Sequence, residues 1–127
     1  MSTETIDTHA FDTPRAKQYL ADFLEDPTLD FIEDTFEFDA DDLGEATEAL
    51  LACELIASLI GSPAPALPDA VKAALKGKPS PNKKLLGKAR NAVRTILDEK
   101  SPLHAHWKDH DHATWLAAVK GLIDRLT

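Results

Sequence analysis

The sequence predicts an all-α fold, a single-domain bundle of five to seven helices around a central buried helix at about residues 42–60. Three observations lead there. Between its prolines and glycines the chain spaces its apolar residues at helical intervals almost everywhere. The stretch Leu43–Ile60 is apolar in nearly every direction on a helical wheel, as expected of a helix surrounded by others. The connections are short, so consecutive helices must pack as neighbours.

Residues 1–11 are expected to be a flexible N-terminal segment, leaving 12–127 as the helical domain. Thr13 then Pro14 reads as N-cap and first helical position, where the missing N–H of proline costs nothing. Ala16, Tyr19, Leu20, Phe23 and Leu24 form one stripe until Pro27 stops that helix. Thr28 caps a second, short helix with Leu29, Ile32 and Phe36 inward, and the alternation in "FEF" blurs its end. From Asp41 or Asp42 the central helix runs to Gly61, a glycine placed to be the residue after the C-cap. "SPAPALP" is a stiff connector, and Pro68 opens a short helix ending at Gly77. Beyond the loop "KPSPN", a helix of about Lys83–Glu99 turns Leu86, Ala89, Val93 and Ile96 inward, weakened by Gly87. Ser101–Pro102 repeats the cap-then-proline signature. A last helix of about His112–Leu126 buries Trp115, Val119, Leu122 and Leu126.

At 127 residues the chain can bury a core without covalent help, and 43% hydrophobic with 28% charged residues is globular composition. Cys53 is the one cysteine, which excludes an intrachain disulfide framework. The start "MSTETIDTHAFDTPR" lacks a basic segment followed by an apolar one, so no secretory signal is expected, and the expected location is cytoplasmic. Leu43–Ile60 carries Glu45, Glu48 and Glu54, which a bilayer would disfavour by several kcal/mol, so no membrane span is expected. A net charge of −8 disfavours nucleic acid and anionic lipid and points to basic partners.

That charge is segregated. Between Lys17 and Lys72 there is no lysine or arginine, and those residues hold 14 Asp or Glu; residues 72–100 carry nine Lys or Arg against Asp98 and Glu99. On the second helix Asp30, Glu33, Asp34 and Glu37 fall within an arc of about 100°. Asp39, Asp41 and Asp42 extend the patch into the following loop. Like charges at i,i+3 and i,i+4 oppose helix formation by roughly 0.2–0.5 kcal/mol per pair. A solvated face, or internal pairing with Lys83, Lys84, Lys88, Arg90 and Arg94, competes with a functional acidic surface.

Motifs that carry chemistry are weak. Counting a calcium loop from Asp39, Asp41 fits position 3 and Gly44 position 6, but Leu43 at 5 and Leu50 at 12 do not fit. "LHAHWKDHDH" offers His104, His106, His110 and His112 beside Asp109 and Asp111, materials for zinc or nickel without a specific spacing. Carboxylate pairs abound, yet an acid catalyst needs a desolvated carboxyl in a pocket. Cys53 reads as inert packing, and Trp107 and Trp115 read as core. There is no GxSxG, GxxxxGK(S/T) or dinucleotide fingerprint. No enzyme activity, metal or cofactor is expected.

Three segments, "EALLACELIASLIGSPAPALPDAVKAAL", "ARNAVRTILDEKSPLHAHW" and "WLAAVKGLIDRL", resemble the bacterial domain-of-unknown-function 4259 family over roughly residues 45–126. "FDTPRAKQYLADFLED" resembles its opening more loosely, and "MSTETIDTHA" stands where the family has a glycine- and tryptophan-containing start. The resemblance implies a small helical bacterial cytosolic protein and carries over no catalytic residue.

Size and charge give the chain the look of a small acidic immunity protein of a toxin system. The expected function is therefore a non-enzymatic module that neutralises a basic, nuclease-type toxin of a contact-dependent or polymorphic system. The expected binding residues are Asp30, Glu33, Asp34, Glu37, Asp39, Asp41 and Asp42, with Phe31 or Phe38 as apolar anchor. The alternative is a structural helical protein, or a homo-oligomer, whose acidic and basic faces pair with each other. A metal protein built on the histidine-rich turn is a third reading.

Overall fold

Helix starts follow the capping side chains. The computed structural model describes residues 14–39, 41–61, 69–98, 100–108 and 112–126. Within them lie seven helices: α1 Pro14–Glu25, α2 Leu29–Thr35, α3 Leu43–Leu59, α4 Asp69–Leu75, α5 Lys83–Leu97, α6 Pro102–Lys108 and α7 His112–Arg125. The side chains of Thr28, Asp42 and Asn82 each accept the backbone N–H three residues on, at 3.1, 3.0 and 2.8 Å. Each satisfies one of the orphan donors of a first turn. Ser101 sits in the same place before α6, and Asp42 rather than Asp41 is the cap of α3. Among the described residues there is no strand, and "FEF" closes α2, with Phe36 as its C-cap. The N-terminal segment 1–11, Thr13 and Pro68 lie outside the described residues.

Helix α3 packs against each of the other six, most extensively against α5. Its residues Ala46, Ala49, Leu50, Leu51, Ala52, Cys53, Leu55, Ile56 and Ala57 are all buried. Small side chains make this possible, because four alanines and a cysteine let neighbouring helices approach from every side. The Cys53 thiol donates to the Ala89 carbonyl of α5 at 3.3 Å, and burial pushes its pKa well above the usual thiol value. A buried, protonated thiol is packing, not a nucleophile.

The other helices each turn one stripe to α3. Ala16, Tyr19, Leu20 and Phe23 of α1, Val71 and Leu75 of α4, and Ala89, Ala92, Val93 and Ile96 of α5 are buried. Trp115, Val119, Leu122 and Leu126 close the core at the C-terminal end. Trp107 is half-buried and stacks on Trp115, ring centroids 6.3 Å apart and 8° from parallel. Two expected core positions are exposed: Leu24 at 40% and Leu43 at 43%. Leu85, rather than Leu86, is the fully inward leucine of α5. The Tyr19 hydroxyl bonds Thr35 Oγ1 at 2.8 Å, which ties α1 to α2, and burial raises its pKa.

One charge enters the core. Glu54 of α3 is buried, and Arg125 of α7 meets both carboxylate oxygens, at 2.7 and 3.1 Å. Arg90 of α5 reaches the same end of α7, donating twice to the Leu126 carbonyl at 3.2 and 3.0 Å. A guanidinium on the last carbonyls also complements the negative end of the helix dipole. α7 is thus held to α3 and α5 by two arginines as well as by its apolar face.

Gly61 and Gly77 have φ of +93° and +83°, the left-handed conformation that ends α3 and α4. Gly87 needs no such freedom, and a Cβ there meets nothing within 4 Å. Gly87→Ala should therefore stabilise the protein by up to about 1 kcal/mol in urea denaturation, through helix propensity alone. Arg125→Met should cost about 3 kcal/mol in the same measurement, because it strands a buried carboxylate. Adding Glu54→Leu should return most of that loss, since a packed apolar pair is no worse than a buried ion pair.

Candidate functional site

The acidic segment occupies α2 and the turn into α3, and the structure distributes its seven candidate carboxylates among different tasks. Asp30 and Asp34 are exposed on α2. Glu33, on the same helix, forms an ion pair with Lys88 of α5 at 2.7 Å. Glu37 follows α2 and is exposed. Asp34 and Glu37 both lie near enough to Lys88 to help hold its proton, after the dominant hydrogen bond from Glu33. Lys84 in turn adds to the field on Glu33. The acidic helix and the basic helix therefore meet along one seam, the internal pairing that Lys88 made available.

The turn carboxylates serve the backbone first. Asp39 Oδ1 accepts the Asp41 N–H at 2.9 Å, and Asp42 Oδ1 accepts the Glu45 N–H at 3.0 Å. Glu45 reaches back to the Asp39 N–H at 3.1 Å, a variant of the capping box one turn longer than usual. Arg15 of α1 pairs with Glu48 at 2.6 Å and lies in the field of Asp42 and Glu45. Asp41 is exposed and lines a shallow pocket with Thr95, Asp98 and Lys100. Asp39 and Asp42 stay exposed while they cap the backbone, and the exposed candidates with neither a capping bond nor an ion pair are Asp30, Asp34, Glu37 and Asp41.

Beside it runs a groove of about 330 Å³ between the end of α2 and the polar face of α5. Phe36, Phe38 and Ala92 supply its apolar surface, and Glu37, Lys88, Asn91 and Thr95 its polar rim. Of the two expected anchors, Phe38 borders this groove. Phe31 is partly buried and packs on Tyr19 and Phe23 at the α1–α2 seam, with ring centroids at 5.3 and 5.8 Å. Asn91 and Thr95 were invisible to a reading based on charge. The i,i+4 spacing of Asn91 and Thr95, one turn on from Lys88, is the sequence signal that places them on one face.

The histidine-rich turn divides. His104 is buried, its Nδ1 2.7 Å from the Leu97 carbonyl and its ring 5.2 Å from Trp115. His106 is exposed with its ring edge-on to Trp107. Asp109, His110 and Asp111 lie outside the described residues, and His112 is the first residue of α7. Among the described residues no three His, Cys, Asp or Glu are grouped to hold a metal ion. No described helix is long and apolar enough to cross a membrane.

Residues 5–118 match the family described as a domain of unknown function, DUF4259. The chain belongs to this family. The match reaches further toward the N-terminus than the motifs of α3 to α7 alone, so it takes in the acidic α2 and its turn, and it ends inside α7. No curated protein and no solved structure matches the chain. What this DUF4259 member does must therefore be argued from its own surface.

The pair at the seam has a sign that can be tested. Hydrogen bonding to Lys88, and then its charge, hold Glu33 below the ordinary glutamate value of 4.5. Glu33 accordingly stabilises the fold above that pH, and the contribution disappears as pH falls through its lower folded value. Lys88 is raised above 10.5 by the same bond, so its share is lost only as pH rises beyond that. The stability gap between wild type and Glu33→Gln should be constant near neutrality and close toward pH 3. A gap of equal size at pH 3 would mean the pair does not form in solution.

Proposed function

We propose that this chain is a non-enzymatic protein-binding module whose acidic surface engages a basic protein. The observation that carries the reading is the set of exposed carboxylates Asp30, Asp34, Glu37 and Asp41 on α2 and the turn after it, with Glu37 on the rim of a groove whose wall includes Phe36 and Phe38. Such a surface attracts a positive partner over several ångströms and offers an aromatic foothold once contact is made. The most concrete partner is a nuclease-type toxin, whose nucleic-acid cleft is positive, with the chain acting as its immunity protein in the cytoplasm. Complementary charge would both speed association and cover that cleft.

A second reading rests on the Glu33–Lys88 bond. It supports self-pairing of the acidic and basic segments, within one chain and, by extension, between copies in a homo-oligomer. Light scattering at low and high salt separates the two, because a salt-sensitive oligomer belongs only to the second.

Reversing Asp34, Glu37 and Asp41 to lysine together is the direct test of the first. A basic protein captured at low salt from a lysate of the native cells should bind the triple variant at least tenfold more slowly. Its association rate should also lose most of its dependence on ionic strength. Unchanged affinity and salt slope would remove this surface as the interface.

A further inference from the structure

Residues 70–97 contain eight lysines and arginines and no Asp or Glu. Two of these cations have been accounted for, Lys88 on Glu33 and Arg90 on the end of α7. Lys72, Lys76 and Lys78 instead converge on one pocket of about 320 Å³ where the C-terminal ends of α3 and α4 meet. Ser58, Leu59 and Leu75 complete the lining, and no carboxylate is part of it.

The convergence is a product of the backbone. Lys72 and Lys76 lie one turn apart and share a helix face. Were α4 to continue, Lys78 would stand about 120–160° away from them. Gly77, at φ +83°, ends the helix and turns the chain, and the Lys78 N–H bonds the Leu75 carbonyl at 3.1 Å. The turn brings Lys78 back to line the same pocket as Lys72 and Lys76. Among the described residues none of the three takes part in an ion pair. The negative ends of α3 and α4 make cations welcome here, but they do not explain three of them around one concavity in a protein of net charge −8.

We infer that this pocket is an anion site for a small diphosphate-bearing ligand, held by Lys72, Lys76 and Lys78 with the Ser58 hydroxyl as a neutral donor. Three separated ammonium groups match an anion with charge and oxygens distributed over two phosphoryl groups better than a monoanion. A concave wall that is partly apolar focuses their field. The acidic remainder of the chain repels a polymeric phosphate, so nucleic acid is disfavoured as the occupant. The site shares no residue with the α2–α5 groove, and it stands or falls independently of the binding role proposed above.

The test is calorimetric titration of the full chain with inorganic pyrophosphate at low and at physiological salt. The expected result is saturable one-to-one binding that weakens with salt. Lys76→Gln combined with Lys78→Gln should weaken it at least tenfold, and Lys100→Gln, outside the pocket, should leave it within twofold. Titration with ADP separates the two sources of the diphosphate: tighter binding than pyrophosphate assigns a nucleotide, and equal or weaker binding assigns the free anion. Absence of saturation at millimolar pyrophosphate, or an equal loss in Lys100→Gln, overturns the site. Circular dichroism checks that each variant is folded, as expected when all three substituted side chains are exposed.

Discussion

Everything in this fold depends on one helix touching all the others. Over residues 49–57, where its neighbours close round it, α3 has no solvent face on which to place polar residues, so that stretch is apolar in every direction but for Glu54. It must also be slim, because six neighbours cannot approach a cylinder of leucines to normal packing distance. Alanine and cysteine at 46, 49, 52, 53 and 57 meet that requirement, while Leu50, Leu51, Leu55 and Ile56 fill the spaces between partners. The same enclosure explains Glu54. A carboxylate placed on such a helix has no water to turn to, and its charge demands the two-point contact from Arg125. That contact in turn fixes where the last helix ends.

The constraint also decides which features could be read from sequence. Side-chain caps are local chemistry, so Thr28 and Ser101 marked their helices and Asp42 was one of the two starts offered for α3, while Asn82 caps α5 from within a stretch read only as loop. The isotropic apolar pattern of α3 was equally legible. What misled was the assumption of one inward stripe per helix. α2 has seven residues, less than two full turns beyond its cap, which is too short for a phase to be read. Phe31 therefore passed for an outward residue, although it fills the gap between Tyr19 and Phe23. Leu43 and Leu24 lie at or near helix ends, where the neighbours no longer surround the chain. The partnership of Glu54 with Arg125, 71 positions apart, has no local signature at all.

Charge counting located the acidic segment but did not show which of its carboxylates also hold the backbone or a lysine. The run of carboxylates was visible at once, but Asp39, Asp42 and Glu45 answer backbone N–H groups at the start of α3. A carboxylate there is favoured by the helix dipole whatever the protein binds. An acidic stretch that ends in a helix start thus overstates the negative surface it creates. The correction is to set aside the capping positions first and count what remains.

What remains has a consequence for the whole molecule. Among the described residues, the acidic and basic segments meet in an ion pair at the α2–α5 seam, through Glu33 and Lys88. Asp30 on one side and Lys72, Lys76 and Lys78 on the other stay outside that pairing, so the described part of the chain is electrically polar, not evenly acidic. A molecule of that kind orients in the field of any charged partner before touching it, which favours fast, specific encounter. It also attracts its own copies head to tail, an arrangement that does not close on itself and would propagate. The net charge of −8 opposes such growth, because every added copy brings more negative than positive charge into the assembly. The imbalance between the two segments therefore leaves a charged face on each side while opposing open-ended growth.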